Sequence, residues 1–269
     1  MKVWFITGTS RGFGHVWTRA ALQRGDKVVA TARDLAPLQP LVEQFGDAIL
    51  PLQLDVADKD AVFATVAAAH AHFGQLDVVV NNAGFGHIGY VEELTETEIR
   101  AQFDTNVFGV IWVTQAALPF LRAQGSGHLI QVSSASGLTA AGGMGLYSAS
   151  KWALEGLSEA LAQEVRKFGI SVTLIEPGGY DTGFGTAGRR TSEMHPDYIA
   201  SHEKLAKLFG TSAGSDANDS ISALFAVVDA EKPPVRLLLG NQAVDIVTGA
   251  YERRLNDWKV WEEVSRSAG

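Results

Sequence analysis

Two side chains in the segment GLYSASKWALEG, residues 145–156, could share one chemical site. Tyr147 and Lys151 lie four positions apart, so on a helix both point to the same face, one turn from each other. A free phenol has a pKa of about 10, roughly three units too high for easy proton exchange at neutral pH, and a nearby cation favours the phenolate. The pair has the types and spacing for proton transfer. Alone, such a pair is more typical of an exposed helix face, where the two residues meet by chance.

A glycine-rich segment near the N-terminus could hold a phosphate group. TGTSRGFG, residues 7–14, places Gly8, Gly12 and Gly14 between a β-branched run and a helical pattern. Glycines there let the backbone pass close to a pyrophosphate at the helix N-terminus, where free N–H groups and the helix dipole favour negative charge. The spacing differs from G-x-G-x-x-G, and a plain tight turn is the alternative. The strand–turn–helix setting favours a dinucleotide site.

The residues after the second predicted strand bear on which dinucleotide binds. An acid about 20 residues beyond the glycines holds the ribose of NAD, whereas arginine accommodates the extra phosphate of NADP. An ungapped alignment puts Ala32 at the acid's place, followed by Arg33, and Arg11 adds a second cation. Guanidinium suits bidentate phosphate recognition, which favours NADP(H). Asp34 keeps NAD(H) as the alternative, and both arginines could simply be solvated.

The segments that must position these residues alternate between two patterns. Short apolar, β-branched runs predict strands, and longer segments with helical periodicity separate them. The predicted strands are KVWFIT, KVVATA, AILPLQL, LDVVVNN, GHLIQVSS, ISVTLIEP and VRLLLG. Helices are predicted from about Gly12, near 34–45, 58–73 and 96–123, from Tyr147, and near 198–208, 217–229 and 242–264. This order predicts an α/β fold, a doubly wound, Rossmann-like parallel sheet with helices on both faces and ligands at the carboxyl ends of its strands.

The regular alternation stops after Pro177 at GGYDTGFGTAGRRTSEMHPDY. Irregular inserts of this length in compact domains are usually functional or disordered, and we interpret the segment near 183–215 as a substrate lid; a surface loop is the alternative. Its lining mixes apolar and basic side chains, which leaves sterol-like, aromatic and small polar substrates open. These side chains are Tyr180, Phe184, Met194, Leu208, Arg189, Arg190 and His195.

Composition limits the possible function classes. The 269 residues are 46% hydrophobic and 19% charged, which predicts one globular domain over 1–269. The net charge of -8 argues against nucleic acid or an anionic membrane as partner. The absence of cysteine excludes disulfides and cysteine-ligated zinc, and the histidine spacing predicts no metal site. No apolar run predicts a signal peptide or a membrane span, so we expect a cytoplasmic protein.

Together with NNAG at 81–84 and YSASK at 147–151, the glycine turn strongly resembles the short-chain dehydrogenase/reductase family, in its single-domain branch. The resemblance runs from residue 2 to about 182, with the motifs in the expected order. It implies that Tyr147 and Lys151 are catalytic and that Ser134, 13 positions before the tyrosine, completes the set. Asn106 of DTNVFG resembles the fourth member, which in the family bends a helix and anchors a water.

The implied roles are chemically reasonable. Tyr147 acts as acid in reduction and as base in oxidation, and Ser134 hydrogen-bonds the substrate oxygen. Lys151 and the positive nicotinamide of the oxidised cofactor both favour phenolate, and Lys151 also holds the nicotinamide ribose. Asp55 is implied to bind the adenine amino group, and Thr182 the nicotinamide carboxamide. The implied cofactor-binding set is Gly8, Ser10, Arg11, Gly12, Phe13, Gly14, Arg33, Asp55, Val56, Asn82, Ala83, Gly84, Tyr147, Lys151, Pro177, Gly178 and Thr182.

The sequence thus predicts an oxidoreductase that moves a hydride between NADP(H) and a carbonyl/secondary alcohol pair, with reduction the expected direction. An NAD-dependent alcohol dehydrogenase of hydroxysteroid-like type is the alternative. A nucleotide-sensing protein on the same fold has no need for Ser134, Tyr147 and Lys151 together. The resemblance also implies a homodimer or homotetramer, although a core would explain the apolar helix faces equally well.

Overall fold

The structure is a computed structural model that describes residues 1–211 and 214–269, and only the backbone of 208–211. Leu208 and the part of the predicted lid at 212–213 therefore lie outside the described side chains and residues. Within these ranges the strands are β1 (Val3–Thr7), β2 (Lys27–Ala32), β3 (Ile49–Gln53), β4 (Val78–Asn81), β5 (Gly86–Ile88), β6 (Gly127–Val132), β7 (Ile170–Pro177), β8 (Tyr180–Asp181), β9 (Arg189–Thr191), β10 (Ser215–Asp216) and β11 (Arg236–Leu239). The α-helices are α1 (Gly12–Gln23), α2 (Gln39–Phe45), α3 (Lys59–Phe73), α4 (Glu96–Phe103), α5 (Gly109–Gln124), α6 (Gly145–Val165), α7 (Ile199–Thr211), α8 (Ile221–Val228), α9 (Asn241–Val260) and α10 (Glu262–Arg266).

Seven strands form one parallel sheet in the order β11-β7-β6-β4-β1-β2-β3. Side chains of each strand alternate between two cores: Trp4 and Ile6 pack on one face with α1 and α8, whereas Val3 and Phe5 pack on the other with α3 and α5. Period-two alternation with apolar residues on both faces is what a sheet covered on both sides requires. The predicted doubly wound α/β fold is confirmed.

The predicted helix near 96–123 is helical throughout and contains a π-helical turn. It consists of α4, a π-helical turn over Asp104–Phe108 and α5. The periodicity of apolar residues could not reveal the π-helical turn, because apolar residues continue across it. The helix expected near 34–45 likewise begins as a 3-10 turn over Ala36–Leu38 before α2.

The segment after Pro177 is more ordered than the sequence predicted. β8 pairs with β10 and β9 pairs with β5, each as a short parallel two-stranded ladder. The β5–β9 pair joins the segment after NNAG to the predicted lid. These ladders have only two or three residues each, which is too short for a sequence pattern to predict.

Strand order reverses at β1, since β2 and β3 lie on one side of it and β4 and β6 on the other. Open α/β sheets bind ligands at such a point, outside the carboxyl ends of the strands. The glycine turn follows β1, Asn82 follows β4 and Ser134 lies just beyond β6. No α-helix in the described ranges is long and apolar enough to cross a bilayer.

Candidate active site

Tyr147 lies in the first turn of α6 and is 5% exposed. Its hydroxyl is hydrogen-bonded to Ser134, and its ring packs against Phe184 at 5.4 Å between centroids. Burial raises the pKa of Tyr147 to about 12, and the Ser134 bond only partly offsets this. The protein's own groups therefore favour the neutral phenol, not the phenolate that the Lys151 charge was expected to favour, because desolvation outweighs every other effect.

Ser134 lies two residues beyond the end of β6. It begins a 3-10 turn over Ala135–Gly137, and its Oγ accepts a hydrogen bond from Ser136 N at 3.1 Å. This turn brings the hydroxyl toward the start of α6, thirteen residues along the chain. The predicted pairing of Ser134 with Tyr147 is therefore present in the fold.

Lys151 is 6% exposed and lies one turn along α6 from Tyr147. Its Nζ donates to the Val132 carbonyl at 2.8 Å and lies 5.9 Å from the centre of the Tyr147 ring. Burial lowers the pKa of Lys151 to about 8, although the charge of Glu155 opposes this shift. The ammonium is held close to the phenol by a backbone carbonyl.

Asn106 sits inside the π-helical turn between α4 and α5 and is fully buried. Its Nδ2 donates to the Phe85 carbonyl at 3.0 Å, and its Oδ1 accepts from Phe85 N at 3.1 Å. Nδ2 also lies 3.2 Å from Ser150 Oγ. The Asn106 carboxamide fixes the backbone just after Gly84, and the implied bend in the helix stays a prediction. The implied role with water stays a prediction.

The glycine turn is closely packed. Gly8 has a φ of +70° and Gly12 a φ of +58°, which side-chain-bearing residues rarely adopt. A Cβ on Gly14 would lie 2.4 Å from the Gly8 carbonyl oxygen. Asn82 braces this turn, because its Nδ2 donates to the carbonyls of Thr7 at 2.8 Å and Gly8 at 3.0 Å.

The N-terminus of α1 can accept an anion. Its N-cap residue Arg11 makes no side-chain cap hydrogen bond, and the first turn contains no acidic residue. The first N–H groups of a helix have no partner within the helix, so those of Gly12, Phe13 and Gly14 are available to a phosphate. The turn thus fits the pyrophosphate of a dinucleotide.

Two residues predicted at the adenosine end, Arg33 and Asp55, follow the paired ends of β2 and β3, where Ala32 pairs with Gln53. Arg33 is exposed beyond β2, and the carboxylate of Asp34 accepts from Ala36 N at 3.0 Å. Arg11 points elsewhere: its Nη2 donates to the Ala187 carbonyl at 3.0 Å, in the predicted lid. Asp55 is exposed and accepts from Ala57 N at 3.1 Å, while Val56 is buried.

The segment after β7 lies against the glycine turn. A Cβ on Gly12 would lie 2.9 Å from the Thr182 carbonyl oxygen, and the ring of Tyr180 packs edge-on against Phe13 at 5.0 Å. Gly178 N donates to the Leu239 carbonyl at 3.1 Å, which holds this segment beside the end of β11. Thr182 is therefore next to the N-terminus of α1, and Tyr180 packs beside the glycine turn.

A model of the short chain dehydrogenase family matches residues 2–193. The chain belongs to this family. Oxidoreductase BOA17 of Botryotinia fuckeliana is 40% identical over 268 residues, which cover 98% of each chain. A short-chain dehydrogenase from Streptomyces avermitilis is 40% identical with a TM-score of 0.94, over 100% of this chain and 98% of that one. The protein is thus an oxidoreductase of the short-chain dehydrogenase family.

Two further similar structures contain a dinucleotide. A short chain dehydrogenase/reductase of Burkholderia phymatum in complex with NAD is 25% identical with a TM-score of 0.82, covering 96% of this chain and 94% of that one. The closed form of serine dehydrogenase complexed with NADP+ is 27% identical with a TM-score of 0.77, covering 88% and 94%. Proteins similar to this short-chain dehydrogenase therefore bind NAD or NADP.

The predicted lining of the lid is only partly gathered at the active site of this short-chain dehydrogenase. Phe184 contacts the Tyr147 ring, and the guanidinium of Arg190 lies 4.0 Å from the centre of the Phe85 ring. Met194 is 49% exposed and the side chain of His195 is 50% exposed, so both face solvent. Among the described side chains, Phe184 lies beside Tyr147, Arg190 beside Phe85, and Tyr180 beside Phe13 of the predicted cofactor-binding set.

Sequence reasoning missed a buried polar cluster on β5. His87 is 1% exposed, its Nε2 lies 2.8 Å from Ser192 Oγ, and Ser192 Oγ donates to Glu98 Oε2 at 3.1 Å. Burial lowers the pKa of His87, and Glu98 only partly opposes this shift. Ser192 is 105 residues from His87 in sequence, so no local pattern signals the contact.

Proposed function

We propose that this short-chain dehydrogenase transfers a hydride between NADP(H) and a carbonyl/secondary alcohol substrate, with reduction as the working direction. The observation that carries the proposal is the buried Tyr147 hydroxyl, bonded to Ser134, with the Lys151 ammonium 5.9 Å from its ring. A hydroxyl donor, a second hydroxyl and a cation in one dry site suit proton transfer to a carbonyl oxygen.

Each residue has a part in this proposal. When bound, the reduced nicotinamide supplies the hydride that the substrate carbon accepts. Tyr147 donates its phenolic proton to the substrate oxygen, and Ser134 stabilises the negative charge that develops there. Lys151 binds the nicotinamide ribose and stabilises the phenolate left after proton transfer. A Tyr147 pKa of about 12 keeps the phenol protonated at neutral pH, which is the form that reduction requires.

Preference for NADP(H) is proposed from Arg33. The arginine is exposed directly beyond β2, where an NAD-specific protein carries an acid. Arg11 is proposed as a second phosphate contact, for which its guanidinium would have to share or leave the Ala187 carbonyl. Asp34 supports the second candidate, an NAD-dependent alcohol dehydrogenase, because a carboxylate can still accept from ribose hydroxyls.

We also propose that 1–269 is one domain whose segment near 183–215 closes over the substrate. The contacts of Glu93 with this segment favour the proposal. Its carboxylate accepts from His195 N at 2.9 Å and lies 2.9 Å from His202 Nε2. A homodimer or homotetramer is proposed through α5 and α6, where Trp152 is 44% exposed. The small-molecule partner is a carbonyl or alcohol, and cytoplasmic location stays a prediction.

Cofactor binding tests the proposal before any substrate is identified. The purified protein is titrated with NADPH and, separately, with NADH, while quenching of its six tryptophans and nicotinamide fluorescence are recorded. Tighter binding of NADPH, followed by its oxidation with a panel of ketones and aldehydes, is the expected result. Tighter binding of NADH would favour the NAD-dependent alcohol dehydrogenase, and binding of neither would refute both candidates.

A further inference from the structure

Three carboxyl groups converge on one guanidinium outside the set of residues used above. Arg236 Nε lies 2.9 Å from Glu155 Oε2 and 3.5 Å from Glu176 Oε1, and Arg236 Nη2 lies 2.7 Å from Glu159 Oε2. Glu155 and Glu159 belong to α6, Glu176 precedes the last residue of β7, and Arg236 begins β11. The cluster therefore joins the catalytic helix to two strands of the sheet.

If all three carboxyl groups ionise, the cluster holds three negative charges and one positive charge. The side chains of Glu155 and Glu176 are 6% and 0% exposed, whereas that of Glu159 is 57% exposed and screened by water. Two buried carboxylates beside one guanidinium repel each other, and retaining one proton between them removes that cost.

The hydrogen-bonding pattern supports a shared proton. Among the described residues, neither carboxyl oxygen of Glu176 has a hydrogen-bond partner, although Arg236 Nε lies 3.5 Å from Oε1, whereas Glu155 has Ser133 as a side-chain partner. A proton on the pair would supply the missing donor, since one carboxyl group can then donate to the other. Burial, reinforced by the charge of Glu155, raises the pKa of Glu176 to about 8, and burial also raises that of Glu155.

The pair is close enough to act on the proposed catalytic residues. Glu155 follows Lys151 by one turn, so Tyr147, Lys151 and Glu155 share one face of α6. Glu155 also packs under the segment that carries Ser134: a Cβ on Gly137 would lie 3.1 Å from Glu155 Oε1 and 2.7 Å from Ser133 Oγ.

A cavity of about 540 Å³ lies beside Glu176. Glu176 and Arg236 line it together with Leu138, Leu238 and Tyr251, at the side covered by α9. The charged and titratable groups around the pair are Lys151 and Glu159 on α6, Arg236 on β11, and Tyr251 and Glu252 on α9. Glu176 is thus the member of the pair that borders the cavity.

We propose that Glu155 and Glu176 are positioning residues that hold a single proton between them at neutral pH and thereby set the charge on Lys151. Loss of that proton at higher pH leaves the pair with two negative charges, one of them on Glu155, one turn from Lys151, and keeps the Lys151 ammonium charged. The pair thus extends the alkaline range in which Lys151 works. The inference rests on the proposed function of Lys151, but the shared proton itself does not.

The shared proton is tested by infrared spectroscopy on protein labelled with 13C-glutamate. We expect a protonated-carboxyl band at neutral pH in the wild-type protein and in Glu159→Gln, which removes the exposed acid at the same guanidinium. The band should be absent from both Glu176→Gln and Glu155→Gln, because a single carboxyl group beside Arg236 ionises. Absence of the band from the wild-type protein, or its persistence in both Gln variants, would overturn the proposal.

The effect on Lys151 is tested by NADPH affinity as a function of pH, followed by nicotinamide fluorescence. In Glu176→Gln the second negative charge cannot form, so the alkaline midpoint should move down by about one pH unit, as expected for charges several ångströms apart. Glu155→Gln should shift it in the same direction and Glu159→Gln should not. Equal midpoints in all proteins would refute control of Lys151, whereas failure of the wild-type protein to bind NADPH would refute the proposed function and leave the infrared result to decide the pair.

Discussion

The Lys151 ammonium lies 5.9 Å from the centre of the Tyr147 ring. Burial shifts the pKa of each side chain in the direction that favours its uncharged form. That of Tyr147 is raised to about 12 and that of Lys151 is lowered to about 8. Up to about pH 8, therefore, a neutral phenol stands beside a cation. This is the combination that can donate a proton and then stabilise the resulting phenolate.

Tyr147→Phe should reduce turnover by about a hundredfold or more, because the proton donor is lost while the ring and its packing against Phe184 remain. NADPH affinity should be nearly unchanged. The measurement is steady-state reduction of a ketone found in the substrate screen, together with fluorescence titration. Tyr251→Phe removes a hydroxyl from α9, outside the site, and should behave like the wild-type protein. Retained turnover in Tyr147→Phe would exclude its role in proton transfer.

The kcat/KM for NADPH should fall as pH rises through about 8, because Lys151 then loses its positive charge. The sign follows from burial: it disfavours the ammonium, so the charged form exists below the lowered pKa and is lost above it. Lys151→Met should abolish this alkaline decrease together with most activity, whereas the exposed Lys167→Met should preserve both. A profile that stays flat well above this pH would contradict the assignment.

The proposed preference for NADPH depends on Arg33. Arg33→Ala should weaken NADPH by about tenfold or more and leave NADH nearly unaffected, because only NADPH carries the phosphate that a guanidinium binds. Dissociation constants for both dinucleotides measure the effect, with the exposed Arg100→Ala as the control. Equal weakening of NADPH and NADH would remove Arg33 as a phosphate contact and favour Asp34.

Local spacing was enough to predict part of this site. Tyr147 and Lys151 share a helix face by their four-residue separation, and Gly8, Gly12 and Gly14 lie between a strand and a helix that are adjacent in sequence. The alternation of apolar strands with helices likewise predicted the sheet correctly. Such features depend on contacts close in sequence, or on a periodicity that is itself visible in the sequence.

Other features depend on distant contacts and could not be predicted in this way. The pKa shift of Tyr147 has the opposite sign from the one expected from its neighbour Lys151, because burial is a property of the whole fold. The pairing of Glu155 with Arg236 joins residues 81 positions apart. The π-helical turn at Asn106 interrupts no hydrophobic pattern. Ser134 was assigned by family resemblance, since nothing in its own segment indicates contact with Tyr147.

Gly14→Ala should destabilise the protein by about 1–3 kcal/mol, because its new Cβ would lie 2.4 Å from the Gly8 carbonyl oxygen. NADPH and NADH should weaken together, since the substitution displaces the turn that holds their common pyrophosphate. Urea unfolding and dinucleotide titration measure the two effects. Gly156→Ala is the matched control: its Cβ meets nothing within 4 Å, and alanine in a helix interior should stabilise by about 0.5–1 kcal/mol. Unchanged stability of Gly14→Ala would show that the turn can relax.

Glu93 should hold the proposed lid against the body of the protein. Its carboxylate accepts from Tyr90 N at 2.7 Å and His195 N at 2.9 Å, and these bonds lower its pKa although burial opposes them. Glu93→Gln replaces one acceptor oxygen by an amide that cannot accept, so tryptic cleavage after Arg190 and Lys204 should become several-fold faster than in the wild-type protein.

The matched control for this cleavage experiment is Glu96→Gln, which removes an exposed acid from the first turn of α4. It should leave the cleavage rate unchanged. Saturating NADPH with a bound carbonyl inhibitor should slow cleavage in the wild-type protein. The effect should be smaller in Glu93→Gln, because closure of the 183–215 segment requires the hydrogen bonds of Glu93. Cleavage that is equally fast in the wild-type protein and in Glu93→Gln would refute Glu93 as the anchor. Cleavage that no ligand slows would refute closure of the 183–215 segment over the substrate.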